Sequence, residues 1–251
     1  MRERDLSTLR RAQGRPEPGR GAPSSRSPGP STVAQDALSK AEGRATSRGD
    51  KETRARLLNA AARLFAERGF ARVTVRDICR KARANVAAVN YHFGGKYGLY
   101  TAVMQSAIGV MHSTTEAARE AGQGRTADER LRAYITVFVQ RLMGSGRDTW
   151  IHQLMMREIA DPTPALDMVA EQVLKPRMAY LCDAIGELAG CAPGDPRVVR
   201  CALSVQSQFH ALMWDQVLPK LAPGSGTTPA GLDAIAEHIT RFSLAGVRSV
   251  R

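Results

Sequence analysis

From Leu57 onward, apolar side chains return every third or fourth residue, and no stretch alternates strictly between apolar and polar. That periodicity marks amphipathic helices rather than strands. The first run, Leu57, Ala61, Leu64 and Phe65, stops at Gly69. Thr74 stands where it can cap a short second helix with the stripe Val75, Ile78, Cys79 and Ala82. A turn follows at Arg83-Ala84. Asn85 can cap a third helix with Val86, Val89 and Phe93 facing inward, and Gly94-Gly95 breaks it. A fourth helix starts near Lys96 and carries Tyr100, Val103, Ala107 and Val110.

Beyond residue 125 the period stays helical. One stripe is Leu131, Ile135, Phe138, Val139 and Leu142; the next is Ile151, Leu154, Met155 and Ile159. Asp161-Pro162-Thr163-Pro164 forces a break, since proline removes a donor and restricts the residue before it. A long helix over about 165–190 is expected to kink or restart at Lys175-Pro176. Further helices are expected over about 196–218 and 229–248, separated by a loop from Pro219 to Pro229. The expected fold class is therefore all-α. Its N-terminal part has the short helix, tight turn and short helix of a helix-turn-helix, a layout that reads double-stranded DNA.

Charge supports that placement. The 251-residue chain carries a net charge of +12, and none of the excess lies in residues 106–251, which hold 15 basic and 15 acidic side chains. Residues 51–105 hold 11 against 3, a basic block joined to a neutral body, as expected of one polyanion-binding surface. Residues 1–50 are rich in Arg, Pro, Gly and Ser, and five of the 13 prolines fall there. Such a segment reads as a disordered basic arm, either following phosphates or minor groove or serving as an idle leader. The expected organisation is an arm over 1–50, a DNA-binding domain over 51–105 and a helical domain over 106–251.

Other function classes find little support. No apolar run approaches the length of a membrane span, and the N-terminus has no secretory h-region. The cysteines, Cys79, Cys182, Cys191 and Cys201, show no zinc spacing, so neither metal nor other cofactor is expected. Three of them fall on apolar helix faces, as reduced core thiols of a cytoplasmic protein do; a redox pair of Cys182 with Cys191 or Cys201 is the alternative. The one acid/base cluster, Arg157-Glu158 with Asp161 and His152, sits at a helix end without a nucleophile, so an enzyme is not expected.

Residues 53–104 resemble the DNA-binding domain of TetR-family transcriptional regulators. The resemblance rests on Arg56-Leu57-Leu58, Ala61-Ala62, Leu64-Phe65, Glu67-Arg68-Gly69-Phe70, Thr74, Ile78, Ala82, and Tyr91-His92-Phe93 with Lys96 and Leu99. Arg157 to Asp167 resembles the C-terminal domain of the CecR-like (also called CerR-like) subgroup, whose style Asn90 to Lys96 also follows. The chain departs from the family in having Arg83-Ala84 where Gly-Val is usual and Tyr97 where Glu is usual. Arg83 therefore either accepts a positive φ at some cost or shifts the turn.

A recognition helix starting at Asn85 would present Val86, Ala87 and Ala88, which can touch a thymine methyl, and Asn90, which can pair with adenine. Arg76 is the candidate for a guanine contact. The resemblance implies phosphate contacts for Thr74, Tyr91, His92 and Lys96; for Tyr91 and His92 the alternative is packing between the third and fourth helices. It also implies a homodimer through about 196–218 and 229–248, a ligand-responsive repressor on a palindromic operator, and work in the bacterial cytoplasm at the nucleoid. An unknown small-molecule effector would sit among the middle helices, with Phe138, Trp150, His152, Met155, Gln206, Phe209 and His210 as lining candidates, joined by Met111, Met156 and Trp214. Met and aromatic side chains at this spacing equally fill a core.

Overall fold

The structure is a computed structural model that describes residues 30–143, 149–212, 220 and 228–250, with side chains from residue 48 onward apart from 211 and 229. The chain divides into two compact units, Met1–Arg48 and Gly49–Arg251. Residues 1–29 lie outside the described residues, so the expected arm is described only from Pro30. There it differs from expectation: α1 runs Pro30–Arg72, broken only by a kink at Gly69 (φ 78°, ψ 166°), the position where the first apolar run was expected to stop. Pro30 stands at the first helical position, where its missing N–H costs nothing, and Ala34, Ala37, Leu38, Ala41 and Ala45 are strong helix formers.

In the second unit the helices follow the apolar stripes. After α1 come α2 (Val75–Ala82), α3 (Val86–Phe93), α4 (Lys96–Ala121), α5 (Ala127–Met143), α6 (Thr149–Ala160) and α7 (Ala165–Val169). A π turn, Ala170–Leu174, leads into α8 (Lys175–Ala189), and α9 (Pro196–Leu212) and α10 (Pro229–Arg248) complete the described helices. No strand occurs among the described residues. The expected break at Lys175-Pro176 takes the form of the π turn: Pro176 has no N–H for the preceding turn, and the wider turn absorbs the mismatch. Trp214 and the expected helix end near 218 lie outside the described residues.

Two hydrophobic cores organise the unit. The first joins Leu57, Leu64 and Phe65 of α1 to Ile78, Val89, Leu99, Tyr100 and Val103, and also takes in Ile151 and Leu154 of α6, Ala165 and Val169 of α7, and Val173. The second joins α5, α8, α9 and α10 through Leu131, Tyr134, Phe138, Leu181, Ile185, Val205, Phe209, Ile239 and Val247. The expected boundary at 105/106 thus falls inside α4, and α6 and α7 complete the core of the head instead of closing a separate body. We call the α1–α4 end the head and the α5, α8–α10 end the body. Ile159, expected on the apolar stripe of α6, is exposed, and its neighbour Glu158 is buried in its place.

That substitution ties α6 to the head. Glu158 Oε1 accepts from Thr163 N at 2.8 Å and Thr163 Oγ1 at 2.7 Å, and Oε2 accepts from the Tyr100 hydroxyl. Burial and the adjacent carboxylate push the Tyr100 phenol far above its ordinary value, so it stays a donor. Next to it, Arg157 Nη2 donates to the Glu67 carbonyl of α1 at 3.1 Å. The acid/base cluster of the sequence is therefore structural, with both Glu158 oxygens already committed.

Candidate nucleic-acid interface

The two short helices of the head are fixed by side chains at their starts. The Thr74 hydroxyl donates to Asp77 Oδ2 at 2.6 Å and accepts from Asp77 N at 3.2 Å, while Thr74 N donates to the same carboxylate oxygen at 3.2 Å. This is a capping box, contributing about 1 kcal/mol. Hydrogen bonds from Thr74, with help from Arg80 and Arg68, hold the Asp77 carboxyl below its ordinary value. Thr74, expected to hold a phosphate, thus has its hydroxyl engaged within the head.

The turn keeps the expected register. Arg83 adopts φ 51°, ψ 50°, and Ala84 N donates to Cys79 O at 3.0 Å. Arg83 is the only non-glycine with positive φ among the described residues. The arginine therefore accepts the strained backbone without shifting the turn, at a cost of about 1 kcal/mol relative to glycine. Asn85 then caps α3, its Oδ1 accepting from Ala87 N at 3.1 Å. Its amide NH2 remains for an acceptor on DNA.

The faces of α3 separate cleanly. Val89 is fully buried, while Val86 (42% exposed), Ala87, Asn90 and Tyr91 (77% exposed) point away from the core. Val86, expected inward by its place in the apolar stripe, is thus on the outer face. Ala88 is half-buried against the head core and so contributes less surface than expected. His92 is a correction: its side chain is only 7% exposed, and Nε2 lies 3.5 Å from Asp50 Oδ1 at the start of the second unit. The reason is helical phase, since His92 follows Val89 by three residues and shares its inward face. It packs α3 against α1 and is not placed for phosphate. Arg54 completes that seam, its guanidinium 5.2 Å from the Phe93 ring centre.

Lys96 is also engaged internally. Its Nζ lies 4.3 Å from the Phe70 ring centre and 3.5 Å from the Ala71 carbonyl, and desolvation lowers its pKa. It fastens the start of α4 to the end of α1. The turn before it uses Gly94 at φ 70° and Gly95 at φ 121°, and a Cβ at Gly98 would fall 1.8 Å from the Phe93 carbonyl oxygen. The N-cap, Gly95, supplies no side-chain hydrogen bond. The first turn of α4 therefore starts without a side-chain cap. A glycine pair with no Ser, Thr, Asp or Asn before the helix is the sequence signal of this uncapped start. Arg76 is exposed and forms no ion pair or hydrogen bond among the described residues, so its guanidinium is available to a partner.

The effector candidates do not form one site. Phe138 and Phe209 are stacked at 5.3 Å in the body core, with Gln206 beside them accepting from Tyr134 at 2.7 Å. Trp150 and Met155 pack against the head core instead. His210 is exposed, His152 is half-buried on α6, Met111 lies against the head core and Met156 is exposed. Aromatics at helical spacing are distributed between two cores, which one-dimensional spacing does not distinguish. A cleft of about 130 Å³ opens elsewhere, lined by Arg68, Phe70, Arg72, Tyr100, Arg157 and Glu158 among others. All four cysteines are free; burial raises the thiol pKa of Cys79, Cys182 and Cys201, as suits core residues. No helix of the described residues is long and apolar enough to cross a membrane.

Comparison with known proteins agrees with this geometry. Residues 57–103 match the model of the bacterial regulatory proteins of the tetR family, and residues 127–247 match that of the C-terminal domain of the HTH-type transcriptional dual regulator CecR. The CecR of Shigella flexneri is 30% identical over 157 residues, covering 59% of this chain and 70% of that protein. Among solved structures, a putative transcriptional regulator from Pseudomonas aeruginosa PAO1 superposes with a TM-score of 0.57 at 21% identity, covering 79% of this chain and 93% of that one. A TetR-family member from Streptomyces coelicolor gives 0.56 at 20% identity, covering 76% and 90%. These relatives are transcriptional regulators, not enzymes. With its helix-turn-helix head and its matched C-terminal domain, the chain belongs to the TetR family of DNA-binding transcriptional regulators, in the CecR-like group.

Proposed function

We propose that this chain is a ligand-responsive repressor acting as a homodimer on a palindromic operator, in the bacterial cytoplasm and at the nucleoid. The observation that carries it is the outer face of the head. Val86, Ala87, Asn90 and Tyr91 stand clear of the core on a capped α3, beside an Arg76 with no partner among the described residues. Val86 and Ala87 would meet thymine methyls, Asn90 an adenine edge and Arg76 a guanine, while Tyr91, the Asn85 amide, Arg83 and the N–H groups opening α4 would hold phosphates. A recognition helix of small side chains leaves part of the selectivity to DNA shape.

The outer face of α9 and α10 favours the dimer. Leu203 and Phe242 are 55% and 64% exposed there, among the small exposed residues Ser204, Ser207, Ala245 and Gly246. Two such faces can pack closely as a four-helix interface, which would set two heads on two half-sites. An effector preferring a conformer with mis-spaced heads would lower DNA affinity by its differential affinity for that conformer. Because the Shigella relative is named a dual regulator, activation at some promoters is the second reading.

Selection of bound sequences from random DNA tests the proposal. A palindromic consensus is expected, with a dimer by light scattering at micromolar concentration. A single half-site, no consensus or a monomer would each count against it. Reporter assays with the promoter carrying the consensus separate repression from activation.

A further inference from the structure

Arg177 lies on α8 at a position of the apolar stripe, four residues after Val173 and four before Leu181, and is only 8% exposed. No carboxylate accompanies it among the described residues. Its Nε donates to Thr115 Oγ1 and its Nη2 to the Met111 carbonyl, each at 3.3 Å, beyond the usual range for such bonds. The guanidinium lies 4.7 Å from the centre of the Phe138 ring. Three of its five N–H groups have no acceptor among the described residues. Desolvation lowers its pKa, with no acidic group offsetting it. A buried guanidinium held by two long bonds to neutral acceptors and one aromatic face, with no carboxylate, is costly as a mere strut between α8 and α4.

The surroundings are aromatic. Phe138 stacks on Tyr134 at 4.3 Å and on Phe209 at 5.3 Å, and the Tyr134 hydroxyl donates to Gln206 Oε1. A planar fork of donors beside an aromatic wall matches an amphipathic carboxylate. We infer that the body binds a small amphipathic organic anion, with Arg177 as the residue that holds its carboxylate. The inference rests on the ligand-responsive reading above and names the chemical class of that ligand. It brings together Phe138, Gln206 and Phe209 from the expected pocket with Arg177, Tyr134 and Thr115, which sequence reading did not select.

The test uses the full chain and a panel of probes: phenylacetate, 2-naphthoate, octanoate and dodecanoate, each beside its methyl ester. Thermal melting reads binding, and fluorescence anisotropy with the selected operator reads DNA affinity. At least one carboxylate is expected to raise the melting midpoint well above its ester. Arg177→Met should weaken that binding by at least about tenfold, the size of a lost charge-assisted pair, whereas Arg125→Met, which removes an exposed cation, should not. Arg177→Lys keeps the charge but loses the fork and should fall between. If neither Arg177 variant folds, the wild-type comparison of acid with ester decides. The inference is overturned if no carboxylate exceeds its ester, or if Arg177→Met binds as wild type. Should the esters bind and release DNA equally well, the ligand-responsive reading stands and the anion assignment falls. Should carboxylates bind through Arg177 without changing operator affinity, the site stands and the ligand-responsive reading falls.

Discussion

Head and body use charge in opposite ways. The head holds its cations at the surface with few internal partners, and its excess of basic residues accounts for most of the chain's net charge. Residues 106–251 carry no net charge, and the body joins its helices through ion pairs, Arg130 with Glu187, Arg132 with Glu237 and Arg248 with Asp128. Exposed pairs of this kind add little stability, about 1 kcal/mol or less each. The contrast is one of balance: the head carries more cations than it has internal partners for, whereas the body pairs its own across helices. Two buried charges sharpen the point. Glu158, 1% exposed, has every oxygen matched and secures α6 to the head. Arg177 is the body's exception, a cation left open as the head's are.

The largest expected effect comes from breaking the matched charge. Glu158→Ala leaves the buried Tyr100 hydroxyl and the half-buried Thr163 N–H and hydroxyl without their acceptor. A loss of about 3 kcal/mol or more is expected from such orphaned donors, read as a fall in the urea midpoint. Exposed Asp161→Ala, three residues on, should stay within about 0.5 kcal/mol of wild type. Equal midpoints for Glu158→Ala and wild type would mean that the buried carboxylate secures nothing.

Breaking a head charge should leave stability alone and act on DNA. Arg76→Ala is expected to relax selectivity at one base pair by about 1–3 kcal/mol without moving the melting midpoint. Lys96→Ala should weaken binding to all sequences and lower the salt slope by about one unit if the ammonium reaches phosphate. An unchanged slope together with a lower melting midpoint would assign Lys96 wholly to its contact with Phe70. Titrations at two salt concentrations on matched and mismatched operators separate these outcomes.

How much of this was legible follows from the range of each cause. Caps and breakers are local, so Thr74, Arg83, Asn85 and Gly94-Gly95 marked the head's helices to within a residue. Local phase also held the answer for His92, three residues after Val89, although its aromatic-rich string drew it toward DNA. The buried charges were harder. Glu158 and Arg177 occupy stripe positions of their helices, and a charged residue there reads as a break in the stripe until a partner from another helix is known. Tyr100 lies 58 residues from Glu158, and Thr115 62 residues from Arg177. The effector candidates divide for the same reason, because Trp150 and Phe138 look alike in sequence and belong to different cores.

A smaller effect tests the cap that replaced an expected phosphate contact. Thr74→Ala removes the hydroxyl from the capping box and should cost about 1 kcal/mol. It should also change the response to acid. Asp77 is held below its ordinary value of 3.8, so it contributes stability that is present above that value and lost as pH falls through its lower folded value. Without the Thr74 hydroxyl that depression shrinks, and the mutant's melting midpoint should fall less between pH 4 and pH 2.5. Parallel acid profiles for mutant and wild type would show that the carboxylate does not depend on the cap.

The smallest expected effect sets the two uses of charge against each other at one residue. Arg83 ends α2 at φ 51°, a conformation glycine adopts freely and arginine does not. Arg83→Gly should relieve strain of about 1 kcal/mol, partly offset by the greater freedom of glycine in the unfolded chain, for a net gain of about 0.5 kcal/mol. The same change removes a cation from the turn leading into α3, so DNA binding should weaken and its salt slope should drop by about one unit. Arg83→Asn separates the causes, since asparagine tolerates the left-handed region but carries no charge. It should match the glycine variant in the lost salt slope and fall between glycine and arginine in stability. A glycine variant that melts higher and binds DNA as tightly as wild type would mean that the arginine's strain has no compensation on DNA.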